Sequence, residues 1–138
     1  MSDVTIVTDS GFAPEDWNGQ ATPLAEGVPA NATAVDVAPD DDVAVLAAHL
    51  DQLAFIRVAF PSFADGRGFT LGRRLRQMGY AGRLRAAGHV LADQYAMARR
   101  AGFDEVEIDG ALATRQPEEQ WLARANWQAH DYQSRLRA

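Results

Sequence analysis

The sequence predicts an α/β fold: a parallel sheet of about four consecutive βα units, arranged as a half-barrel-like arc or an open Rossmann-like sheet, behind an irregular N-terminal arm. Three observations carry that prediction. Gly66, Gly88 and Gly110 recur at a spacing of 22, each after a short apolar run. Gly79 and Gly102 recur 23 apart, inside Arg76-Gln-Met-Gly79-Tyr80 and Arg99-Arg-Ala-Gly102-Phe103, where helices would close. One glycine after each strand and one after each helix is the punctuation of a βα unit with short loops. The third observation is Leu53 to Phe60 (LAFIRVAF), which is apolar except for Arg57, as a parallel strand covered on both faces requires. A repeat this short is close to the unit of a minimal (β/α) barrel, which favours the arc.

Taken in order, Asp3 to Asp9 (DVTIVTD) alternates like a short strand, and Ser10 to Asn31 carries three prolines and three glycines and reads as irregular. Residues 1–31 are therefore the arm and 32–138 the α/β domain. Trp17 is expected to pin the arm by packing on its own domain. Ala32 to Ala38 is the first firm strand, stopped by Pro39. Asp40 to Asp42 stand where a cap and first-turn acids belong, ahead of a helix whose stripe is Val43, Leu46, Ala47, Leu50 and Leu53. Three adjacent acids in that place suit the helix dipole better than a cation, and His49 reads as a partly buried structural residue. The loop Ser62 to Gly68 leads into a helix over Phe69 to Met78, with Thr70 as cap. The strand Gly82 to Ala87 sets Leu84 and Ala86 against Arg83 and Arg85, and a helix over Val90 to Ala101 follows. A strand over Phe103 to Ile108, a turn at Asp109-Gly110 and a helix over Pro117 to Arg135 complete the chain.

With 138 residues, 47% hydrophobic and 23% charged, the chain suits one ordinary globular domain. Absences narrow its chemistry. There is no cysteine, which excludes thiolate catalysis, disulfides and cysteine-held zinc or iron-sulfur clusters within this chain. All 13 basic residues are arginine, which removes Schiff-base lysines and the lysine of a Walker loop. The histidines, at 49, 89 and 130, are not at metal-ligand spacing, so neither a metal nor another cofactor is expected. No apolar run is long enough for a membrane span and no leader pattern opens the chain, so a cytoplasmic location is expected. A net charge of -6 and few aromatics among the arginines argue against nucleic acid.

Charge is unevenly placed. Residues 1–66 hold eleven acids and one arginine, whereas residues 67–92 hold six arginines and no acid. Such an island faces an anionic ligand or the acidic part of its own chain. Asp65-Gly66-Arg67-Gly68 puts free amides and a guanidinium before a helix, a cradle for a small oxyanion; the competing possibility is that Asp65 and Arg67 merely build the turn. Arg85, inside a strand, needs a partner: Asp65, Asp93 or a ligand. Arg73 lies on a helix surface. His89 is a candidate acid or base with Asp93 one turn later to orient it, Asp65 is a second proton-transfer candidate, and Gln94 is placed to bond neighbouring loops. No catalytic residue is assigned beyond those candidates. The candidate binding set is Asp65, Gly66, Arg67, Arg73, Arg85, Asp93 and Gln94, expected to collect at the carboxyl edge of the sheet.

Phe60-Pro61-x-Phe63-x-Asp65-Gly66-Arg67, Arg73-x-Leu75-Arg76, Gly79-Tyr80-x-Gly82-x-Leu84-Arg85-Ala86-x-Gly88, Asp93-Gln94 and Gly102-Phe103-Asp104 resemble the signature of the bacterial domain-of-unknown-function family 934 over roughly Val35 to Gln133. The resemblance implies a role beside assimilatory sulfate reduction, since members tend to be encoded near sulfite reductase and phosphoadenosine phosphosulfate reductase and are labelled oxidoreductases of sulfite reduction. His89 stands where the family usually has Asp or Asn, Ala92 replaces a usual Arg, and Ala101 a frequent Cys. Three functions are then expected as alternatives. The first is an accessory protein of sulfate and sulfite reduction that contacts sulfite reductase or another protein of that route and holds a small oxyanion. The others are a small barrel-like enzyme acting on a phosphorylated or sulfated metabolite, and a structural or interaction module, as a homodimer completing a barrel.

Overall fold

The computed structural model describes residues 4–130. One seven-stranded sheet is built from β1 (Val4–Thr8), β2 (Gly11–Ala13), β3 (Thr22–Pro23), β4 (Ala34–Val37), β5 (Phe55–Phe60), β6 (Arg83–Gly88) and β7 (Glu105–Asp109), in the order β2-β1-β7-β6-β5-β4-β3. From β3 to β7 the strands run parallel and in sequence order, whereas β1 is antiparallel to both β2 and β7. The α/β class is as expected, but the count of four βα units behind a loose arm needs correction. The arm contributes three strands and closes both edges of the sheet. Gly11–Ala13 and Thr22–Pro23 are too short for periodicity to signal. They are strands because a neighbour offers backbone partners.

The helices are α1 (Arg67–Gln77), α2 (Tyr95–Ala101), α3 (Gly110–Arg115) and α4 (Glu118–Leu122). The helix expected after Pro39 is only a 3-10 turn, Val43–Leu46, begun by Asp42, whose carboxylate accepts the Ala44 amide at 3.0 Å. Its two acidic neighbours go elsewhere, Asp41 to the Ala38 amide at 2.7 Å and Asp40 to Arg67. α1 starts earlier than its apolar stripe suggested, and its first turn is preceded by Gly66 rather than capped by Thr70. A 3-10 turn, Ala92–Gln94, replaces the beginning of the helix expected from Val90. The long C-terminal helix is instead α4, with Pro117 before it, and a 3-10 turn Trp127–His130; its expected remainder lies outside the described residues.

Parallel neighbours in sequence order, joined by right-handed crossovers, put every crossover on the same side of a sheet. On that side Val35, Ile56, Val58, Phe60, Leu84 and Val106 form one core with Leu46, Phe69, Leu75, Tyr95, Ala98 and Trp121. By the two-residue period of a strand, the opposite face carries Asp36, Phe55, Arg57, Arg83, Arg85, Glu105 and Glu107. No helix covers it. The segment 14–21 connects β2 at one edge to β3 at the other and crosses this second face as a strap. Trp17 pins it as expected: its ring stacks on Phe55, with centroids 4.7 Å apart and planes 16° from parallel.

Candidate functional site

The loop after β5 is where the sequence places its cradle. Asp65 accepts the Arg67 amide at 3.1 Å, Arg67 Nε at 3.0 Å and Arg67 Nη2 at 2.7 Å. Arg67 Nη1 donates to Asp40. Those bonds from the Arg67 side chain and amide hold the Asp65 carboxyl down at about 2. The amide and much of the fork that an oxyanion would use are therefore already taken, and the turn is built by its own residues. Gly66 sits exposed at the start of α1. Gln94 bonds neighbouring loops, its Oε1 accepting the Leu91 amide at 2.9 Å and its Nε2 donating to the Phe63 carbonyl at 3.4 Å.

His89 lies exposed on the same edge, with the Phe63 ring edge-on at 4.8 Å and Nδ1 3.4 Å from the Phe60 carbonyl. Asp93 does not orient it. The Asp93 carboxylate instead accepts Arg124 Nη2 at 2.9 Å. Arg73 is exposed on α1, and Arg85 lies in mid-sheet on the strap face. Of the expected set, the carboxyl edge thus brings together Asp65, Gly66, Arg67 and Gln94, and leaves Arg73, Arg85 and Asp93 apart. The expected convergence of guanidinium groups on one rim does not form, because β6 aims Arg85 at the opposite layer and α1 aims Arg73 at solvent.

The strap face holds the densest polar arrangement among the described residues. Arg85 has no exposed surface. Its Nε donates to Glu105, its Nη1 to Glu107 at 2.7 Å and to Glu15, and its Nη2 to Glu15 at 2.9 Å. Neither Asp65 nor Asp93 is its partner. Arg83 Nε donates to Glu105 at 3.0 Å, and its Nη2 to Asp16 of the strap. Arg57 forks onto Asp36 at 2.7 and 3.1 Å and reaches Glu107 at 3.2 Å. The Phe55 ring lies under both Arg85, at 4.8 Å, and Arg83, at 5.6 Å. Burial alone would lower the pKa of Arg85, but its bonds to Glu15, Glu107 and Glu105 outweigh that and raise it. Burial likewise opposes the charge on Glu15, and bonds from Arg85 and the Trp17 amide overcome it and lower its pKa.

Sequence reasoning missed this network apart from Arg85. One signal was available: charges at alternate positions in successive strands, which the parallel register aligns as Asp36 beside Arg57, Arg57 beside Arg85, and Arg85 beside Glu105. Nothing local marked Glu15 and Asp16 as partners.

A second knot joins the turn after β1 to α2 and to the 3-10 turn at Trp127. Asp9 accepts from Tyr95 Oη, from Arg99 Nε and Nη2 at 3.2 Å each, and from Trp127 Nε1 at 3.3 Å. A shallow cavity of about 320 Å³ lies nearby, lined by Asp93, Ala96, Arg100 and Arg124. Among the described residues no group of three or more His, Cys, Asp or Glu is arranged to hold a metal ion, and no helix is long and apolar enough to cross a membrane. The model of a family described as bacterial protein of unknown function (DUF934) matches residues 34–138. No curated protein and no solved structure matches the chain.

Proposed function

The chain belongs to the bacterial DUF934 family, and from that membership we propose that it is an accessory protein of assimilatory sulfate and sulfite reduction that acts by contact with a partner protein rather than by chemistry of its own. The link to sulfate assimilation comes from the family resemblance. The observation that favours contact over chemistry is the state of the candidate groups: Arg67 and Arg85 are engaged by Asp65, Asp40, Glu15, Glu105 and Glu107, and Asp93, the acid expected to orient His89 for proton transfer, is paired with Arg124 instead. A partner on this route, sulfite reductase or a neighbour, supplies the redox centre.

Deleting the gene tests the reading. Growth on sulfate is expected to slow while growth on cysteine is unchanged; equal growth on both would remove it. Returning the gene with Arg67→Ala separates contact from oxyanion binding at the carboxyl edge. Contact predicts that growth is restored, whereas a site that grips a small oxyanion through Arg67 predicts that it is not.

A further inference from the structure

The strap closes a surface that is better made than its cover. Phe55, Arg83 and Arg85, with Glu105 and Glu107 behind them, all lie on strands of the family-matched segment, and the strap precedes that segment. What the strap presents is an acid-acid-aromatic run, Glu15-Asp16-Trp17. Glu15 forks onto Arg85, Asp16 meets Arg83, and the Trp17 ring lies flat on Phe55. The fit is incomplete. Trp17 Nε1 is shut away from solvent with no hydrogen-bond partner among the described residues, and the Asp16 side chain remains 67% exposed.

The strap is held by side chains, with little backbone bonding of its own. Residues 14–20 adopt no regular structure, and the one hydrogen bond to a backbone amide within them runs from Trp17 N to Glu15 Oε1 at 2.8 Å, inside the strap itself. Its far anchor is β3, two residues long, and Pro23 has no amide to donate. A segment fixed by three side chains and a two-residue strand opens at far lower cost than the sheet beneath it.

We infer that the strap is a removable cover and that the surface beneath it, Phe55 with Arg83 and Arg85, is a docking site for an acidic-aromatic peptide segment of a partner protein. The guanidinium pair takes two adjacent carboxylates and the Phe55 ring takes a flat side chain after them. The strap occupies the site in cis and holds it against weaker or wrongly charged segments, because a tethered segment competes at the high effective concentration its linker imposes. The inference rests on the reading of the protein as one that works by contact, but it fails by a different measurement.

The test is a titration of a labelled peptide with the sequence of residues 12–20 into the full chain, intact and with the cover disabled by Glu15→Ala, Asp16→Ala and Trp17→Ala together. The disabled chain is expected to bind the peptide at least about tenfold more tightly than the intact chain does, the margin a cis competitor produces. A peptide with Glu and Asp replaced by their amides, or Trp by Ala, is expected to lose that binding. Equal binding to both chains, or no preference of the disabled chain for the native peptide, would overturn the inference while leaving the growth phenotype untouched. Where the triple variant does not fold, Trp17→Ala alone opens the aromatic half of the site, and the same preference must appear there.

Discussion

Arg85 shows how a single side chain sets the character of a face. A fully buried guanidinium is tolerated only where carboxylates satisfy its donors, and here Glu15, Glu105 and Glu107 do so. Arg85→Met is expected to destabilise the protein by about 3 kcal/mol, because Glu15 then loses its guanidinium while Glu105 keeps only Arg83 and Glu107 only Arg57. Urea denaturation measures it, and a loss below about 1 kcal/mol would mean that water reaches those acids. Glu15 gives a pH dependence of known sign. Its folded pKa lies below the ordinary 4.5, so the stability it contributes is complete above about 4.5 and is lost as pH falls through the lowered value. The melting temperature of Glu15→Gln is therefore expected to trail that of the native chain most at pH 7, and the gap to close toward pH 3. A gap that is constant over that range would show that Glu15 keeps its unfolded pKa.

Elements follow the residues that end them. β6 stops against β5 at Gly88, where φ is +122° and an added Cβ would stand 2.5 Å from the Phe60 carbonyl oxygen. Both the left-handed backbone and the close approach require glycine there. Gly88→Ala is expected to cost at least about 2 kcal/mol in thermal or denaturant unfolding, from backbone strain and forced separation of β5 and β6. A neutral result would show that this corner of the sheet relaxes freely. Helix length was the least legible quantity at this scale. Residues after Pro39 have an apolar stripe but form only a 3-10 turn, Val43–Leu46, although the connection from β4 to β5 is no shorter than the one from β6 to β7 that holds α2. The glycine spacing located α1, α2 and the strands before them to within a few residues, since Gly79, Gly88 and Gly102 end their elements locally through positive φ.

At the scale of the whole molecule, the two faces of the sheet divide what was legible from what was not. The apolar face, Val35, Ile56, Val58, Leu84 and Val106, is written as alternation in β6 and β7 and as a nearly continuous apolar run in β5, and needs no knowledge of its neighbours. The uneven charge was equally plain, and of the two outcomes it allows, an anionic ligand or the acidic part of the same chain, the strap face shows the second, with Glu15 on Arg85 and Asp16 on Arg83. Sequence by itself determined the α/β class, the punctuation by glycine and the need for Arg85 to find a partner, because each follows from the conformational or solvation demands of residues near in the chain. Only the tertiary structure decided that the partner is Glu15, 70 residues away, and that the arm is a strap closing the sheet. Pairing at that distance depends on strand order and register, which no local pattern encodes.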